Sequence, residues 1–276
     1  MRKSIFFWEI KHLSGVADGA YDEAFAALKR IGIEGFQLSV RDIEKVGEKN
    51  LLCAMTRNGM CADVIHTAIP LLSADDDIFR DAIRAAEETI ALLHRFSCTR
   101  LMIVALPVTD VKGEGDRERA MARMIEGLAE IVKIAQAEGI EIYIENFSKP
   151  LLPYTAVSDI EQILDAVPQV KYTFDVGNFI CVGVDPFVAY ERLHARVSLL
   201  HLKNFTPTED ERGIPCADGH YVEGVAFDQG EFDMPAFLRR AMTDGGRILP
   251  VIEHNAVLPM SDISRSAALT DQLLQS

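Results

Sequence analysis

Three acidic residues and one histidine in the second half of the chain, Glu145, Asp175, His201 and Glu253, stand at or near the ends of short apolar runs: IEIYIE, KYTFD, VSLLHL and RILPVIE. Three carboxylates and one imidazole can surround a single divalent cation. The oxygen-rich donor set suits Mn²⁺ first, then Mg²⁺, Co²⁺ or Zn²⁺, and differs from a sulfur-rich zinc site. Taken singly, each has a plainer reading: a histidine satisfied in a core, or an aspartate forming a turn before Val-Gly. Taken together, the plain reading buries four polar groups without a shared purpose, which is energetically expensive.

Such convergence needs elements that deliver all four to one place. Eight β-branched or apolar runs punctuate the chain, at 4–10, 34–39, 61–67, 100–106, 140–145, 171–175, 197–202 and 247–253. Helical patterns lie between them. Ile78, Ile83, Ala86, Ile90 and Leu93 recur at near-helical spacing in 76–96, as do Met121, Met124, Leu128, Ile131 and Ile134 in 119–138. Ser158-Asp159-Ile160-Glu161 has capping-box spacing, and Asp185-Pro186 and Asp233-Met234-Pro235 read as helix starts. Gly32, Gly59 and Gly139 fall where helices end. Eight strand-then-helix units predict an α/β fold, a closed (β/α)₈ TIM barrel forming a single domain over 1–276. An open doubly wound sheet is disfavoured because the first strand lacks a glycine-rich turn. Barrels work at the C-terminal ends of their strands, where neighbours lie about 4.8 Å apart, so the four residues share one rim. The longest break, 203–233, reads as an active-site loop.

Composition narrows the function. The 276 residues include 49% hydrophobic ones, enough for a substantial core. Five cysteines without a C-x-x-C pair predict reduced thiols in a cytoplasmic protein. MRKSIFFWEIK reads as a first strand rather than a signal peptide, and no run approaches the roughly 18 apolar residues of a membrane span. A net charge of −14 opposes a nucleic-acid partner and favours a small, weakly charged substrate.

The segments IYIENF, YTFDVGN, LLHLKN and VIEHN, in this order, resemble the metal-binding strand ends of the xylose isomerase-like barrels. That group holds sugar isomerases and epimerases, hydroxypyruvate isomerase, inosose dehydratase and the endonuclease IV relatives. IGIEGFQLS resembles the family's second strand, where a glutamate usually stands at Gln37, and GEFDMPAFLRRAM resembles its seventh-helix start. The resemblance implies a cytoplasmic, metal-dependent isomerase or epimerase acting on a sugar or polyol-derived ketone, in a group where homo-oligomers are common. Glu145 and Glu253 match its opposed acid–base pair, which moves a proton beside a carbonyl through a metal-stabilised cis-enediolate. Lys203 and Asn204 match its His-x-Lys-Asp/Asn element, with the lysine on a substrate oxygen. Asn178 stands where relatives often carry a substrate-binding histidine.

Further substrate contacts are expected from His66 at the end of the third strand, and from Trp8 as an aromatic wall beside Glu9. His220 belongs to an Asp218-x-His220 element in the long loop, and His254 and Asn255 are candidates for orienting Glu253. The turns KNFTP and HNAVLP lack glycine, which favours an unphosphorylated substrate. A dehydratase of the inosose or dehydroshikimate type is the main rival. A three-zinc phosphodiesterase would need histidines where Leu106-Pro107 and Asn178 stand, and a non-catalytic sugar-binding regulator has no need of two opposed glutamates.

Overall fold

In the computed structural model, which describes residues 2–13, 19–109, 111–242 and 248–274, each barrel strand is followed by at least one helix. The first half of the chain runs β1 (Lys3–Phe6), α1 (Phe7–Lys11), α2 (Tyr21–Arg30), β2 (Ile33–Ser39), α3 (Val40–Val46), α4 (Glu48–Asn58), β3 (Cys61–Ile69), α5 (Asp76–Arg95), β4 (Arg100–Ala105) and α6 (Glu114–Ala137). Then come β5 (Glu141–Glu145), α7 (Val157–Ala166), β6 (Lys171–Asp175), α8 (Val176–Cys181), α9 (Pro186–Leu193) and β7 (Val197–Leu202). From there the chain leaves the barrel for β8 (Asn204–Thr208), β9 (Ile214–Pro215) and β10 (Tyr221–Val225). It returns through α10 (Met234–Met242), β11 (Leu249–Ile252) and α11 (Met260–Leu274). Strands β1 to β7 and β11 close into an eight-stranded barrel in which every pairing is parallel.

Period-two alternation sorts the strand residues. Leu200 and Leu202 on β7, Phe174 on β6 and Ile144 on β5 enter the main core between strands and helices. Val64, Met102, Tyr143, Leu199 and Val251 form a separate cluster with Phe6 and Leu249, the plug of the barrel lumen. Glu145, His201 and Glu253 each lie two residues beyond a plug residue, and Asp175 two beyond Thr173. One step of the pleat therefore lifts all four to the same face, at the C-terminal end.

The helices bury the stripes their spacing predicts. On α5, Phe79, Ala82, Ile83, Ala86, Ile90 and Leu93 are buried. Full burial of each large aliphatic side chain contributes about 1.5–3 kcal/mol. Gly32, Gly59 and Gly139 all take positive φ at helix ends. Asp185 caps α9 by accepting from the Phe187 N–H at 2.8 Å, and Asp233 caps α10 by accepting from Ala236 N–H at 2.9 Å. Among the described residues no helix is long and apolar enough to cross a membrane.

Three expectations need correction. The first strand stops at Phe6, and FWEIK forms a helical turn instead. Phe7 and Ile10, one turn apart, both enter the core, and Glu9 is drawn to the His254 backbone N–H at 2.7 Å. Ser158 is not a cap: α7 begins at Val157, and the Asp159 carboxylate takes the Thr155 and Ala156 N–H groups while pairing with Arg117. His66 lies three residues inside β3, which continues to Ile69. Arg247, the start of the expected eighth strand, lies outside the described residues.

Candidate metal centre

The loop after β7 is a three-stranded antiparallel sheet, ordered β8-β10-β9, laid across the rim. Asn204 fastens both its ends. Its amide donates to the carbonyls of Phe227 and Phe232 at 2.9 Å each, and its oxygen accepts from Phe205 N–H at 3.0 Å. Gly224 on β10 packs so tightly on the β11 exit that a Cβ there would stand 1.7 Å from the His254 carbonyl oxygen. The loop and the Glu253 segment are therefore one packed unit.

Inside the mouth, His201 is the hub. Its Nδ1 lies 3.0 Å from Glu145 Oε2, 3.4 Å from Asp175 Oδ2 and 3.5 Å from Glu253 Oε2. Glu145, Asp175 and His201 each offer a ligand atom, all within 4.8 Å of one another, as a group that could hold a metal ion. Glu253 follows the last residue of β11, and its N–H donates to Leu202 O at 3.0 Å. The Lys203 ammonium lies 2.8 Å from Asp175 Oδ2 and 3.0 Å from Glu253 Oε1. Its stem passes Gly177, where a Cβ would come within 2.7 Å of Lys203 Cβ. Asp175 Oδ2 and Glu253 Oε2 are buried yet accept no hydrogen bond of good geometry. Orphaned buried acceptors are costly, and hard oxygen donors beside an imidazole fit a divalent cation.

The electrostatics follow from this crowding. Burial lowers the His201 pKa, but the Asp175 and Glu145 hydrogen bonds and the carboxylate charges outweigh it and carry it up to about 10. Burial raises Glu253, and with the Asp175 and Glu145 charges it outweighs Lys203 and His201, leaving the group at about 7. Burial also opposes ionisation of Asp175, but Lys203 and His201 prevail and hold it at about 2. Burial works against the Lys203 charge, which Asp175 and Glu253 more than restore.

The neighbouring strand ends are tied together by a residue the sequence did not single out. Asn146 donates to Asp175 O at 2.9 Å, and its oxygen accepts from Asp175 N–H at 2.9 Å and Tyr172 O–H at 2.7 Å. Asn178 donates its side-chain amide to Asn146 O at 2.8 Å, and its backbone N–H reaches Asp175 Oδ1 at 2.9 Å. Asn178 thus braces the β5 and β6 ends. A second network runs behind Glu253. Glu9 Oε2 meets His254 Nδ1 at 3.2 Å, and His254 Nε2 meets Ser266 Oγ at 2.9 Å, all three residues being buried. Asn255 follows with φ of +56°. The signal for both networks was present in the motifs IENF and IEHN, but the partners lie far off in sequence.

The remaining candidates scatter. His66 faces the lumen, its pKa held at about 4 mainly by burial, and its buried Nδ1 has no hydrogen-bond partner. Phe6 lies 5.2 Å from the His66 ring and stands edge-on to His201 at 5.8 Å. Trp8 turns to His12, with ring centroids 4.6 Å apart. His220 stays half-exposed on the outer sheet, paired with Asp218.

Known proteins share this architecture. The magnesium complex of a xylose isomerase-like TIM barrel protein from Mycobacterium smegmatis superposes with a TM-score of 0.69 at 14% identity, covering 99% of this chain and 96% of that one. D-psicose 3-epimerase from Clostridium cellulolyticum, solved with D-tagatose, gives 0.71 at 15% identity, covering 100% and 99%. A Bacillus anthracis protein assigned as a 3-DHS dehydratase of petrobactin synthesis gives 0.70 at 14%, covering 100% and 99%. No curated protein sequence matches. The family model described as xylose isomerase-like TIM barrel matches residues 25–253. The chain belongs to that family.

Proposed function

We propose that this chain is a divalent-metal-dependent sugar isomerase or epimerase, with Glu145 and Glu253 as its acid–base pair. The observation that carries the reading is a difference in exposure within the cluster. The side chains of Asp175 and His201 are sealed, at 0% and 1%, whereas Glu145 and Glu253 keep 11% and 10% open to the mouth. Glu145, Asp175, His201 and Glu253 would hold the cation, Mn²⁺ by preference. When bound, it would supply Lewis acidity to a carbonyl and its neighbouring hydroxyl, making the carbon-bound proton between them acidic.

Glu253, raised mainly by burial to about 7 in the metal-free protein, would be held ionised by the cation and so be ready to accept the carbon-bound proton. Lys203 keeps Asp175 ionised and restrains one Glu253 oxygen, leaving the other free. His66 offers a neutral imidazole to a hydroxyl, and Phe6 offers an apolar face to sugar C–H bonds. The substrate class is a small neutral sugar or polyol-derived ketone. The magnesium-bound and epimerase neighbours support this reading.

The test is incubation of Mn²⁺-loaded protein with a panel of ketoses and aldoses in deuterium oxide. Deuterium should appear at the carbon beside the carbonyl, together with an epimer or isomer. No exchange with any member of the panel sinks the reading. Loss of water with new ultraviolet absorbance would instead assign dehydration, the activity named for the B. anthracis neighbour.

A further inference from the structure

Gln37 lies on β2, 1% exposed, across the lumen from the carboxylates. Its Oε1 is 2.9 Å from His201 Nε2, and its Nε2 is 3.5 Å from Met102 Sδ. The thioether sulfur can accept but not donate, so the amide NH₂ belongs on sulfur and the carbonyl on the imidazole. His201 must then donate through Nε2–H. A neutral imidazole carries only one N–H, so its Nδ1 is left as a lone pair. That lone pair faces Glu145, Asp175 and Glu253. In the metal-free protein a proton on Nδ1 satisfies these carboxylates; a cation that replaces this proton meets one nitrogen lone pair and three carboxylates.

We propose that Gln37 is a positioning residue, resting on the metal reading above. Its neutral amide selects the Nε2–H tautomer of His201, presents Nδ1 to the cation, and leaves the loaded centre without net charge. Three carboxylates are balanced by one ammonium, Lys203, and a divalent ion. A buried site with no net charge avoids the solvation penalty of an uncompensated one. A glutamate at this position would preserve the acceptor while adding a fourth negative charge.

The experiment is calorimetric titration of metal-free full-length protein with Mn²⁺, for wild type, Gln37→Leu and Gln37→Glu. Long-range ¹H–¹⁵N spectra of the Zn²⁺-loaded wild type accompany it. Gln37→Leu should weaken binding about 10–100-fold, the usual cost of removing the partner of a metal-bound histidine. Gln37→Glu should recover affinity to within about tenfold of wild type, a rescue that a purely packing role would not give. The spectra should show His201 protonated at Nε2 and metal-bound at Nδ1. They need no variant, so a misfolded Gln37→Leu does not spare the idea. Wild-type affinity in Gln37→Leu, failure of Gln37→Glu to recover, or metal on Nε2 overturns the role of Gln37 alone. No uptake of Mn²⁺ by the wild type overturns the metal reading beneath it.

Discussion

The barrel buries charge at both ends, and the two ends treat it differently. Near the N-terminal ends of the strands, Asp63 is the extra residue of a bulge, since Ala62 pairs with Phe36 and Val64 with Gln37. Both of its oxygens are occupied, one by Arg2 and the other by Ser4. Lys3 beside it is equally satisfied, by Asp271 and by the carbonyls of Ile31 and Ala267 at 3.2 and 3.3 Å. At the C-terminal end the balance is left open. Among the described residues, four buried side-chain polar atoms make no hydrogen bond of good geometry: His66 Nδ1, Thr173 Oγ1, Glu253 Oε2 and Asp175 Oδ2, the last beside the Lys203 ammonium at 2.8 Å. All four belong to the lumen-facing set. A closed network serves stability alone, whereas an open one keeps bonding capacity in reserve for something that arrives from outside.

The contrast breaks if charge removal at the two ends has the same effect. The largest change is expected from Glu145→Gln and Glu253→Gln. Each should lower turnover by about 10²–10⁴-fold, with the circular-dichroism melt little altered. Asp63→Ala should do the reverse. Stranding the buried Ser4 hydroxyl beside a void, with Arg2 left to solvent, costs about 1–3 kcal/mol of unfolding free energy in urea, while turnover per folded molecule holds. A matching loss of turnover would erase the distinction.

Metal addition should raise the unfolding free energy by about 2.7 kcal/mol at a hundredfold excess over Kd, in wild type and Asp63→Ala alike. This increment depends on pH with a definite sign. His201, raised to about 10, stabilises the metal-free fold fully below about pH 6.5 and loses that contribution as pH rises towards 10. Glu253, raised to about 7, likewise gives its protonated-state stabilisation below about pH 4.5 and loses it by 7. Cation binding displaces both protons, so the melting shift on adding Mn²⁺ should be larger at pH 8.5 than at pH 6. An equal shift at both values would count against His201 and Glu253 as ligands. The smallest effect is expected from Gly224→Ala, which forces β10 off the His254 carbonyl. A stability loss of about 1–3 kcal/mol should accompany a fall in kcat through displaced Glu253.

Much of this was readable because a pleated strand repeats every two residues. Glu145, Asp175, His201 and Glu253 could be assigned to one rim from their place at the ends of apolar runs, with no knowledge of their neighbours. The residues that hold them were illegible for the opposite reason. Gln37 reaches His201 across 164 positions, and Glu9 reaches His254 across 245. No periodicity encodes such pairings. The misread helix at Phe7–Lys11 has the same origin, since SIFFWEI carries no clean period and tertiary contacts of Phe7, Glu9 and Ile10 decide its shape. Trp8 drew attention as an aromatic wall, while the ring beside the two histidines is Phe6, one pleat earlier in phase with the lumen.

The plug of Val64, Met102, Tyr143, Leu199 and Val251 lies one pleat step below the cluster and gives it a floor. Under the proposed function, a cation held by Asp175 and His201 would rest on that floor, and a sugar against the more open glutamates would lie above it. The upper guest would then be the stopper of the lower one, with the ion loading before the sugar and leaving after it.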